Sequence, residues 1–462
     1  MAEPLVHLRQ RAGENWLIGH DSHYFSQLSE QLWLDLTKQT KPGKPLKILL
    51  AEQDPILFLA SFIAACAARS HIFLCNPHWV EREWQEVFDL VQPDLILGQK
   101  ANFSPSFTHP SLPGSPRIMI PTGGSSGKIR FAIHSWETLM ASVRGFQQYF
   151  GQKSVNSFCV LPLYHVSGLM QFLRSFTTGG RMVILPFQAI IKGEGQSIEP
   201  EPKDFFLSLV PTQLARLLSR DTSVWLSRFQ TILLGGAPAW PSLLEESRHY
   251  QLRLAPTYGM TETASQIVTL QSEDFLRSNN SSGQVLPHAQ VTIRSAKGEI
   301  LAAGQTGIIN IQADSLSLGY YPHLHSRIEN ISSDDLGFFD QQGYLHIIGR
   351  RSHKIVTGGE NVFPAEVESV ILATGLVKDV SIIGLPDKYW GQVVTAVYIP
   401  ICPQVSTAKL QALVTNKLSN FKRPKYWLAV ESLPRNGQGK VNYEHLKSIC
   451  SKHFGNLYKE VN

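Results

Sequence analysis

The fold of this 462-residue chain is constrained most by a repeated alternation of short apolar segments with longer, helix-like segments. Residues 46–50, 71–75 and 94–98 are strand-like, and helix-like residues 55–69 and 81–91 separate them. Strands that are apolar throughout and alternate with helices are typical of a parallel sheet covered on both faces. The pattern returns in four later strand-like segments, 157–161, 181–185, 206–210 and 231–234. The sequence therefore predicts an α/β fold built from layers of parallel sheet.

The pattern changes after about residue 285, where shorter strands with period-two character begin. This change predicts a small β-rich subdomain over about 285–350. Residues 354–462 contain two helix-like and two strand-like segments, enough chain to fold alone. We therefore expect a large N-terminal domain over 1–350, which includes the β-rich subdomain, and a small α+β C-terminal domain over 354–462.

Composition excludes several classes of protein. The net charge of +5 is mild for this length, which favours small anionic ligands over nucleic acid. The five cysteines are scattered without a Cys-x-x-Cys pair, as is typical of a reduced, cytoplasmic protein. The charged N-terminus lacks the apolar run of a signal peptide, and the longest apolar stretch, 56–68, predicts a buried helix too short to span a bilayer. We expect a cytoplasmic protein with no membrane insertion and no nucleic-acid partner.

The first segment that carries chemistry is Pro-Thr-Gly-Gly-Ser-Ser-Gly-Lys-Ile-Arg at residues 121–130, directly after a strand-like segment. Its glycines let backbone N–H groups approach an anion closely, and its hydroxyls add donors. A Walker A loop would need glycine in place of Thr122, Ser or Thr in place of Ile129, and a helix afterwards. Residues 128–134 are strand-like instead, so the Walker interpretation fails. A phosphate-binding loop and a polar β-hairpin loop both remain open.

A second segment, Pro-Thr-Tyr-Gly-Met-Thr-Glu-Thr at residues 256–263, offers hydroxyls, a tyrosine ring and one carboxylate. When a carboxylate attacks the α-phosphate of ATP, two oxyanions approach each other, and cations and donors must offset their repulsion. Together the two segments indicate a site that holds a nucleoside triphosphate while a carboxylic acid attacks it.

Six segments, in chain order, resemble the motifs of the acyl-adenylate-forming (AMP-binding) superfamily. They are the phosphate loop at 122–130, the histidine-bearing acyl-pocket motif at 161–168, the adenine-side loop at 234–238, the Tyr-Gly-x-Thr-Glu motif at 258–262, the ribose-binding pair at 335–337 and 349–350, and the motif with the C-terminal lysine at 433–440. The resemblance extends from about residue 46 to residue 446. It implies a ligase that uses ATP, Mg²⁺ and coenzyme A (CoA), with a mobile C-terminal domain that rotates about a hinge at 351–353.

The resemblance also implies roles for individual residues. The catalytic residues would be Lys440, Glu262, Thr261 and His165, with Glu262 holding Mg²⁺ because a hard cation prefers carboxylate oxygen. The nucleotide would be bound by Thr122, Gly123, Gly124, Ser125, Ser126, Gly127, Lys128, Arg130, Gly235, Gly236, Ala237, Pro238, Thr257, Tyr258, Gly259, Asp335 and Arg350. The acyl group and CoA would contact Tyr164, His165, Ser167, Gly168, Gly358 and Gly359, and Ser352 would be the hinge.

Some of these roles have alternatives, and two positions depart from the family pattern. A lone histidine such as His165 is often structural, and in the family its position gates the acyl pocket without acting as a base. Lys422 and Lys425 are the nearby alternatives to Lys440. Arg130 stands where the family has lysine, and Asp334 stands where glycine is common. We expect both departures to alter nucleotide affinity without removing a required group.

Within the superfamily, residues 350–368 and 387–391 resemble most the 2-succinylbenzoate–CoA ligases of menaquinone and phylloquinone synthesis. The sequence shows no carrier domain, which favours CoA as the acyl acceptor. A CoA ligase for another aryl or medium-chain fatty acid remains an alternative, and a non-catalytic nucleotide- or acyl-binding relative is a more remote one. A second carboxylate on the acid would need a cation or several donors, and no motif identifies that group. A homo-oligomer is also possible.

Overall fold

The chain is described by a computed structural model that covers residues 3–40, 44–98, 115–123, 129–199, 201–220, 222–324, 329–435 and 441–454. It divides into two compact units. The first unit comprises Met1–Gly236, Tyr250–Gln290 and Ile311–Ile331, and the second comprises Ala237–His249, Val291–Asn310 and Ser332–Asn462.

Helices occur in both units. In chain order they are α1 (Glu3–Gln10), α2 (Ser22–Gln39), α3 (Pro55–Ala67), α4 (Glu81–Leu90), α5 (Trp136–Phe150), α6 (Val166–Thr178), α7 (Phe187–Ile191), α8 (Pro211–Leu218), α9 (Ser223–Ser227), α10 (Pro241–His249), α11 (Ser272–Leu276), α12 (Pro364–Leu372), α13 (Thr407–Thr415) and α14 (Tyr443–Phe454). Among these described helices, none is both long and apolar enough to cross a membrane.

Strands also occur in both units. In chain order they are β1 (Leu17–Ile18), β2 (Lys47–Leu50), β3 (His71–Leu74), β4 (Leu95–Leu97), β5 (Ile118–Gly123), β6 (Ile129–His134), β7 (Asn156–Cys159), β8 (Met182–Ile184), β9 (Phe205–Leu209), β10 (Thr231–Leu234), β11 (Leu254–Met260), β12 (Ser265–Thr269), β13 (Gln284–Val285), β14 (Ala289–Arg294), β15 (Gly307–Ala313), β16 (Gly319–Tyr320), β17 (His323–Leu324), β18 (Ile331–Phe339), β19 (Leu345–Arg350), β20 (Ile355–Thr357), β21 (Glu360–Val362), β22 (Val377–Asp387), β23 (Gly391–Pro400) and β24 (Tyr426–Ala429).

Two large sheets form the first unit. One has the strand order β1-β8-β7-β9-β10-β11-β12-β13, and the other has the order β17-β16-β6-β5-β3-β2-β4. Strands β7 to β11 pair in parallel with one another, and β2 is parallel to both β3 and β4. The parallel α/β layers predicted from the alternating sequence pattern are therefore confirmed.

The helices of the first unit are buried where their sequence is apolar. Helix α3 is enclosed on nearly every side, which confirms the buried helix predicted at 56–68. It begins where Asp54 accepts hydrogen bonds from two backbone N–H groups and Pro55 occupies the first turn. Helix α6 contributes Phe172 and Phe176 to the same core, stacked with ring centroids 5.1 Å apart. This packing fixes the helix that carries the predicted acyl-pocket motif.

The second unit contains two smaller sheets, with strand orders β14-β15-β18-β19 and β21-β20-β23-β22, and β24 pairs with β23. The predicted β-rich stretch is present. It includes a strand that the sequence pattern did not predict, β18, because Asp335-Leu336-Gly337 has the residue types of a turn. The structure instead places this tripeptide within a nine-residue strand. A Cβ on Gly337 would lie 2.6 Å from the His346 carbonyl oxygen, so the glycine permits close pairing with β19. Local turn chemistry was overridden by cross-strand pairing.

A carboxylate within the second unit has a perturbed pKa. Glu368, on α12, accepts a hydrogen bond of 2.8 Å from the Ile382 N–H, and burial raises its pKa from 4.5 to about 7. A group whose pKa is higher in the folded state stabilises the fold below its unfolded pKa. That contribution is lost as the pH rises from 4.5 through 7.

We therefore predict that Glu368→Gln stabilises the protein at pH 8, by roughly 3 kcal/mol, and changes little at pH 4.5. The amide keeps an oxygen for the Ile382 N–H and cannot ionise. Urea unfolding of both proteins at the two pH values measures the difference, with exposed Glu431→Gln as the control. Equal stability of Glu368→Gln and the parent protein at pH 8 would contradict the raised pKa.

Candidate functional site

Two of the predicted nucleotide-binding segments lie side by side at the carboxyl edge of the eight-stranded sheet. Strands β10 and β11 are parallel, with Leu234 opposite Pro256, so Gly235 and Thr257 continue from neighbouring strands. A Cβ on Gly235 would lie 2.4 Å from the Thr257 hydroxyl oxygen, and Gly236 has a φ of +82°. Glycine is needed at both positions for this close approach. Ala237 and Pro238 follow and are grouped with the second unit.

Strand β11 then turns back as the antiparallel strand β12, and Gly259 makes this reversal possible. The pairing register shifts between Tyr258 and Gly259, which is a β-bulge. A Cβ on Gly259 would lie 2.1 Å from the carbonyl oxygen of Ser265. Strand pairing therefore requires glycine at this position of the Tyr-Gly-Met-Thr-Glu segment, whether or not a ligand binds.

The turn between these strands, residues 261–265, has every backbone carbonyl hydrogen-bonded. Donors reach it from four places: β6, α5, the segment before β16, and the turn itself. The pairs are His134 Nε2 with Thr261 O at 2.8 Å, Ser317 N with Glu262 O at 2.7 Å, Ser315 Oγ with Thr263 O at 2.9 Å, Ser142 Oγ with Ala264 O at 2.7 Å, and Thr263 Oγ1 with Ser265 O at 2.6 Å. Thr261 and Glu262 are thus held by contacts from distant parts of the first unit.

The same turn contains two non-glycine residues with left-handed backbone conformations. Ala264 has a φ of +50° and Ser265 a φ of +89°. Each of these conformations costs roughly 1–3 kcal/mol. Such strain persists only where surrounding contacts over-determine the conformation, as the five bonded carbonyls do here. Strained residues of this kind cluster at functional sites.

Glu262 is oriented by a residue that the sequence analysis did not identify. The Tyr320 hydroxyl donates to Glu262 Oε1 at 2.6 Å, and burial together with this carboxylate raises the pKa of Tyr320. Strand β16 holds Tyr320 opposite Ala132 of β6, and the Arg130 guanidinium lies 5.4 Å from the centroid of the tyrosine ring. No sequence motif marks Tyr320, because its position depends on strand pairing across the sheet.

Thr261 is supported by a buried histidine, His134. Burial lowers the pKa of His134 to about 4, so the ring is neutral at pH 7. Its Nε2 faces a carbonyl oxygen and must therefore carry the proton, while Nδ1 lies 3.1 Å from the Thr138 hydroxyl. The histidine acts as a fixed hydrogen-bond donor to the turn.

The predicted phosphate loop lies at the tip of the antiparallel β5–β6 hairpin. Thr122 is buried and stands opposite Arg130, which is exposed. The strand predicted from residue 128 is confirmed from Ile129 onward, where a Walker A loop would need a helix. Gly124, Ser125, Ser126, Gly127 and Lys128 lie outside the described residues.

The acyl-pocket motif lies at the start of α6. His165 caps the helix, and its ring centroid is 4.6 Å from that of Tyr164, whose pKa burial raises. A Cβ on Gly168 would lie 2.2 Å from the Pro162 carbonyl oxygen, so the chain before the helix folds tightly against its first turn. Ser167 stands between His165 and Gly168 in this turn. The four predicted residues are therefore brought together.

In the second unit, the predicted ribose pair is also brought together. Asp335 and Arg350 stand opposite each other on β18 and β19, with Arg350 Nε 3.4 Å from Asp335 Oδ1. The neighbouring Asp334 accepts hydrogen bonds from the backbone N–H and the hydroxyl of Ser352, the predicted hinge residue. Arg351 Nε lies 3.8 Å from the same carboxylate. The contacts of Asp334 are therefore with the hinge segment.

The glycines predicted for CoA form the turn between β20 and β21, where Gly358 and Gly359 have φ values of +58° and +86°. A Cβ on Gly358 would lie 2.8 Å from Trp390 Cε3. The two alternatives to Lys440 are both engaged: Lys425 Nζ lies 3.8 Å from the Trp390 ring centroid, and Lys422 Nζ lies 2.5 Å from a Glu366 carboxylate oxygen.

Lys440 itself lies outside the described residues, but the residues on either side of 436–440 are described. Arg435 and Val441 form an antiparallel bridge. The Asn442 N–H donates to the Pro434 carbonyl at 2.8 Å, and Arg435 pairs with Asp379.

Comparison with known proteins identifies two family models along the chain. The model described as AMP-binding enzyme matches residues 98–321, and the model described as AMP-binding enzyme C-terminal domain matches residues 366–440. Between them they cover all the motif segments on which the resemblance rests except the ribose pair at 335–337 and 349–350.

Curated relatives agree with these models. The 2-succinylbenzoate–CoA ligase of Enterococcus faecalis is 31% identical over 360 residues, covering 76% of this chain and 73% of the relative. That of Listeria monocytogenes is 34% identical over 340 residues, covering 72% and 69%. That of Bacillus cytotoxicus is 30% identical over 446 residues, covering 90% of each chain.

Solved structures agree on the fold. The o-succinylbenzoate CoA synthetase from Bacillus subtilis in complex with its acyl-adenylate intermediate matches with a TM-score of 0.82 and 24% identity, covering 96% of this chain and 97% of that one. The same protein in complex with ATP and magnesium ion matches with a TM-score of 0.80 and 24% identity, covering 96% and 99%.

The bulge at Gly259 generates a stability prediction. Gly259→Ala should lower the free energy of unfolding by about 1–3 kcal/mol or more, because the new Cβ meets a backbone oxygen that cannot rotate away. Thermal and urea unfolding measure the loss. Gly13→Ala is the matched control, since a Cβ there meets nothing within 4 Å. Equal stability of the two variants would contradict the close approach of β11 and β12.

Proposed function

Because the chain belongs to the AMP-binding enzyme family, we propose that it is an AMP-forming ligase that joins 2-succinylbenzoate to CoA. In the first step a carboxylate oxygen of the acid attacks the α-phosphorus of ATP, and pyrophosphate leaves. In the second step the CoA thiolate attacks the acyl carbonyl, and AMP leaves. The product, 2-succinylbenzoyl-CoA, serves menaquinone or phylloquinone biosynthesis.

The observation that carries the proposal is the hydrogen-bonded turn at 261–265, which holds Thr261 and Glu262 just after strand β11, whose Thr257 lies against Gly235. A hydroxyl and a carboxylate fixed in this way match the groups that a reacting triphosphate needs. The choice of acid rests on the relatives, since the three named above, each with 30% identity or more over most of its length, share one named activity.

The single carboxylate of Glu262 fits a Mg²⁺ ion that binds together with ATP. Among the residues that the structure describes, no group of three or more His, Cys, Asp or Glu side chains is arranged to hold a metal. Mg²⁺ is commonly bound by one or two carboxylates together with substrate phosphates. Glu262, oriented by Tyr320, would supply the protein ligand. The ion would offset negative charge on the phosphates during attack.

We assign the nucleotide to the residues that the family motifs indicate. Tyr258 stacks on adenine, with Gly235, Gly236, Ala237 and Pro238 beside it, and Thr257 and Gly259 shape the strand edge. Asp335 accepts hydrogen bonds from the ribose hydroxyls, and Arg350 braces Asp335. The hairpin loop from Thr122 to Arg130 clamps the β- and γ-phosphates, with a guanidinium where the family has lysine.

The remaining residues serve the acid, the thiol and the exchange of conformations. Tyr164, His165, Ser167 and Gly168 line the acyl pocket, and Gly358 and Gly359 let the CoA thiol pass closely. We assign the N-terminal domain to 1–350, the hinge to 351–353 with Ser352 as its pivot, and the C-terminal domain to 354–462. Lys440 offsets the charge that develops at the α-phosphate in the first step. We expect the enzyme in the cytoplasm, and a homo-oligomer stays a prediction.

The test of the function is acid-dependent exchange of pyrophosphate into ATP, measured with 2-succinylbenzoate, benzoates and fatty acids, with and without CoA. Exchange that is fastest with 2-succinylbenzoate supports the proposal. Exchange with fatty acids or other aryl acids alone favours the alternative ligases. No exchange with any acid would leave only a non-catalytic nucleotide-binding relative.

Lys440→Ala should abolish formation of the acyl-adenylate but leave capture of a supplied acyl-adenylate by CoA largely intact, because Lys440 acts in one half-reaction. Rapid-quench assays of each half-reaction measure this. Lys422→Ala is the matched control, since Lys422 is already paired with Glu366. Loss of both half-reactions alike in Lys440→Ala would contradict the assigned role.

Asp334 and Asp335 should behave differently despite being adjacent. Asp335→Ala should raise the KM for ATP roughly 10- to 150-fold, because a hydrogen bond to a charged group is worth about 1.5–3 kcal/mol. Asp334→Ala should leave the KM for ATP within about two-fold, because its carboxylate is bonded to Ser352. A large rise in KM for Asp334→Ala would restore the sequence-based expectation that this position alters nucleotide affinity.

A further inference from the structure

Arg174, on α6, is a buried cation to which the described residues supply no carboxylate partner. Arg174 is only 2% exposed. Burial lowers its pKa to about 9, which still leaves it protonated at pH 7. A buried charge without a counter-charge is costly, and such charges are normally paired.

The contacts of Arg174 are with neutral groups. Its Nη2 donates to Gln266 Oε1 at 3.2 Å and to Ser265 Oγ at 3.4 Å, and its guanidinium lies 4.1 Å from the centroid of the Phe146 ring. Its Nε–H has no acceptor among the described residues. These groups partly solvate the positive charge but do not neutralise it.

The other buried arginine of the described chain shows what a paired site looks like. Arg11 is 4% exposed and donates to the carbonyl of Ser175, which lies on α6 next to Arg174, at 2.7 Å. It lies 2.7 Å from a Glu14 carboxylate oxygen, so its charge is compensated. Burial and then Arg174 lower the pKa of His288 to about 4, so this neighbour is neutral at pH 7 and does not compensate the charge of Arg174.

The position of Arg174 relates it to both halves of the predicted reaction centre. It lies on the same helix as Ser167 and Gly168 of the acyl-pocket motif, and helical side chains lean toward the helix N-terminus. Helix α6 packs against α5 and β12. Ser265, which Arg174 contacts, follows Glu262 by three residues. The guanidinium thus lies between the helix assigned to the acid and the strand that leaves the Thr-Glu turn.

We propose that Arg174 binds the carboxylate of the acid substrate that is not activated, and so selects a dicarboxylate over aryl and fatty monocarboxylates. This inference rests on the function proposed above. A guanidinium receives a carboxylate through two parallel hydrogen bonds, and the unused Nε–H is one of the two donors required. The carboxylate would replace the long contact to Ser265. A monocarboxylate would leave the buried cation unpaired, which is the basis for its rejection.

The experiment compares three acids in the pyrophosphate exchange assay. They are 2-succinylbenzoate and two analogues that each lack one of its carboxylates, 4-oxo-4-phenylbutanoate and 2-butanoylbenzoate. The parent enzyme should prefer 2-succinylbenzoate over the better analogue by about 100-fold or more in kcat/KM. In Arg174→Gln, kcat/KM should fall for 2-succinylbenzoate only, so this preference should be lost. Arg11→Gln is the control for removal of a buried arginine and should keep the preference.

The outcomes separate this inference from the proposed function. Equal losses on all three acids in Arg174→Gln, with the preference retained, would show that Arg174 only braces β12 and would overturn the inference. An inactive parent enzyme would instead overturn the proposed function. Arg174→Lys keeps a charge in the core but cannot form the paired hydrogen bonds. If Arg174→Gln does not fold, the preference of Arg174→Lys decides: a reduced preference supports the inference, and an unchanged one overturns it.

Discussion

The backbone of the turn at 261–265 is the constraint on which the first unit depends. Each of its five carbonyls accepts a hydrogen bond, and the donors come from β6, from α5, from the segment that leads into β16 and from the turn itself. A buried carbonyl without a partner would cost about as much as a lost hydrogen bond. The bonds therefore offset the strain of Ala264 and Ser265, and they fix Glu262 where strands from both large sheets approach it.

The alternation of apolar and helix-like segments was sufficient to predict the parallel layers, because burial on both faces imposes an uninterrupted apolar strand. It was not sufficient for β18, where Asp335-Leu336-Gly337 carries the residue types of a turn. Pairing with β19 overrides that local preference. The N-terminal elements α1 and α2 were likewise not predicted, since their sequence matches no motif and their amphipathic pattern is weak.

Two charged residues, Asp334 and Arg174, have contacts that the motifs around them do not indicate. Asp334 stands beside the ribose aspartate, and its sequence position alone suggests an effect on the nucleotide. Its carboxylate accepts hydrogen bonds from the backbone N–H and the hydroxyl of Ser352, and its effect on nucleotide affinity stays a prediction. Arg174 lies within the helix of the acyl-pocket motif, but nothing in that sequence distinguishes a surface arginine from a buried one. Its burial against Phe146 of α5 is a feature that composition cannot indicate.

The sequence by itself determined the family and the chemistry, because glycines, hydroxyls and carboxylates recur in a fixed order that resembles known motifs. It also determined the parallel sheet, whose pattern is local. Only the tertiary structure decided that His134, Ser142, Ser315 and Tyr320 close around the Thr-Glu turn and that no described carboxylate pairs with Arg174. These contacts join residues as far as 127 positions apart, and no short-range pattern of polarity encodes which distant donor will reach a given carbonyl.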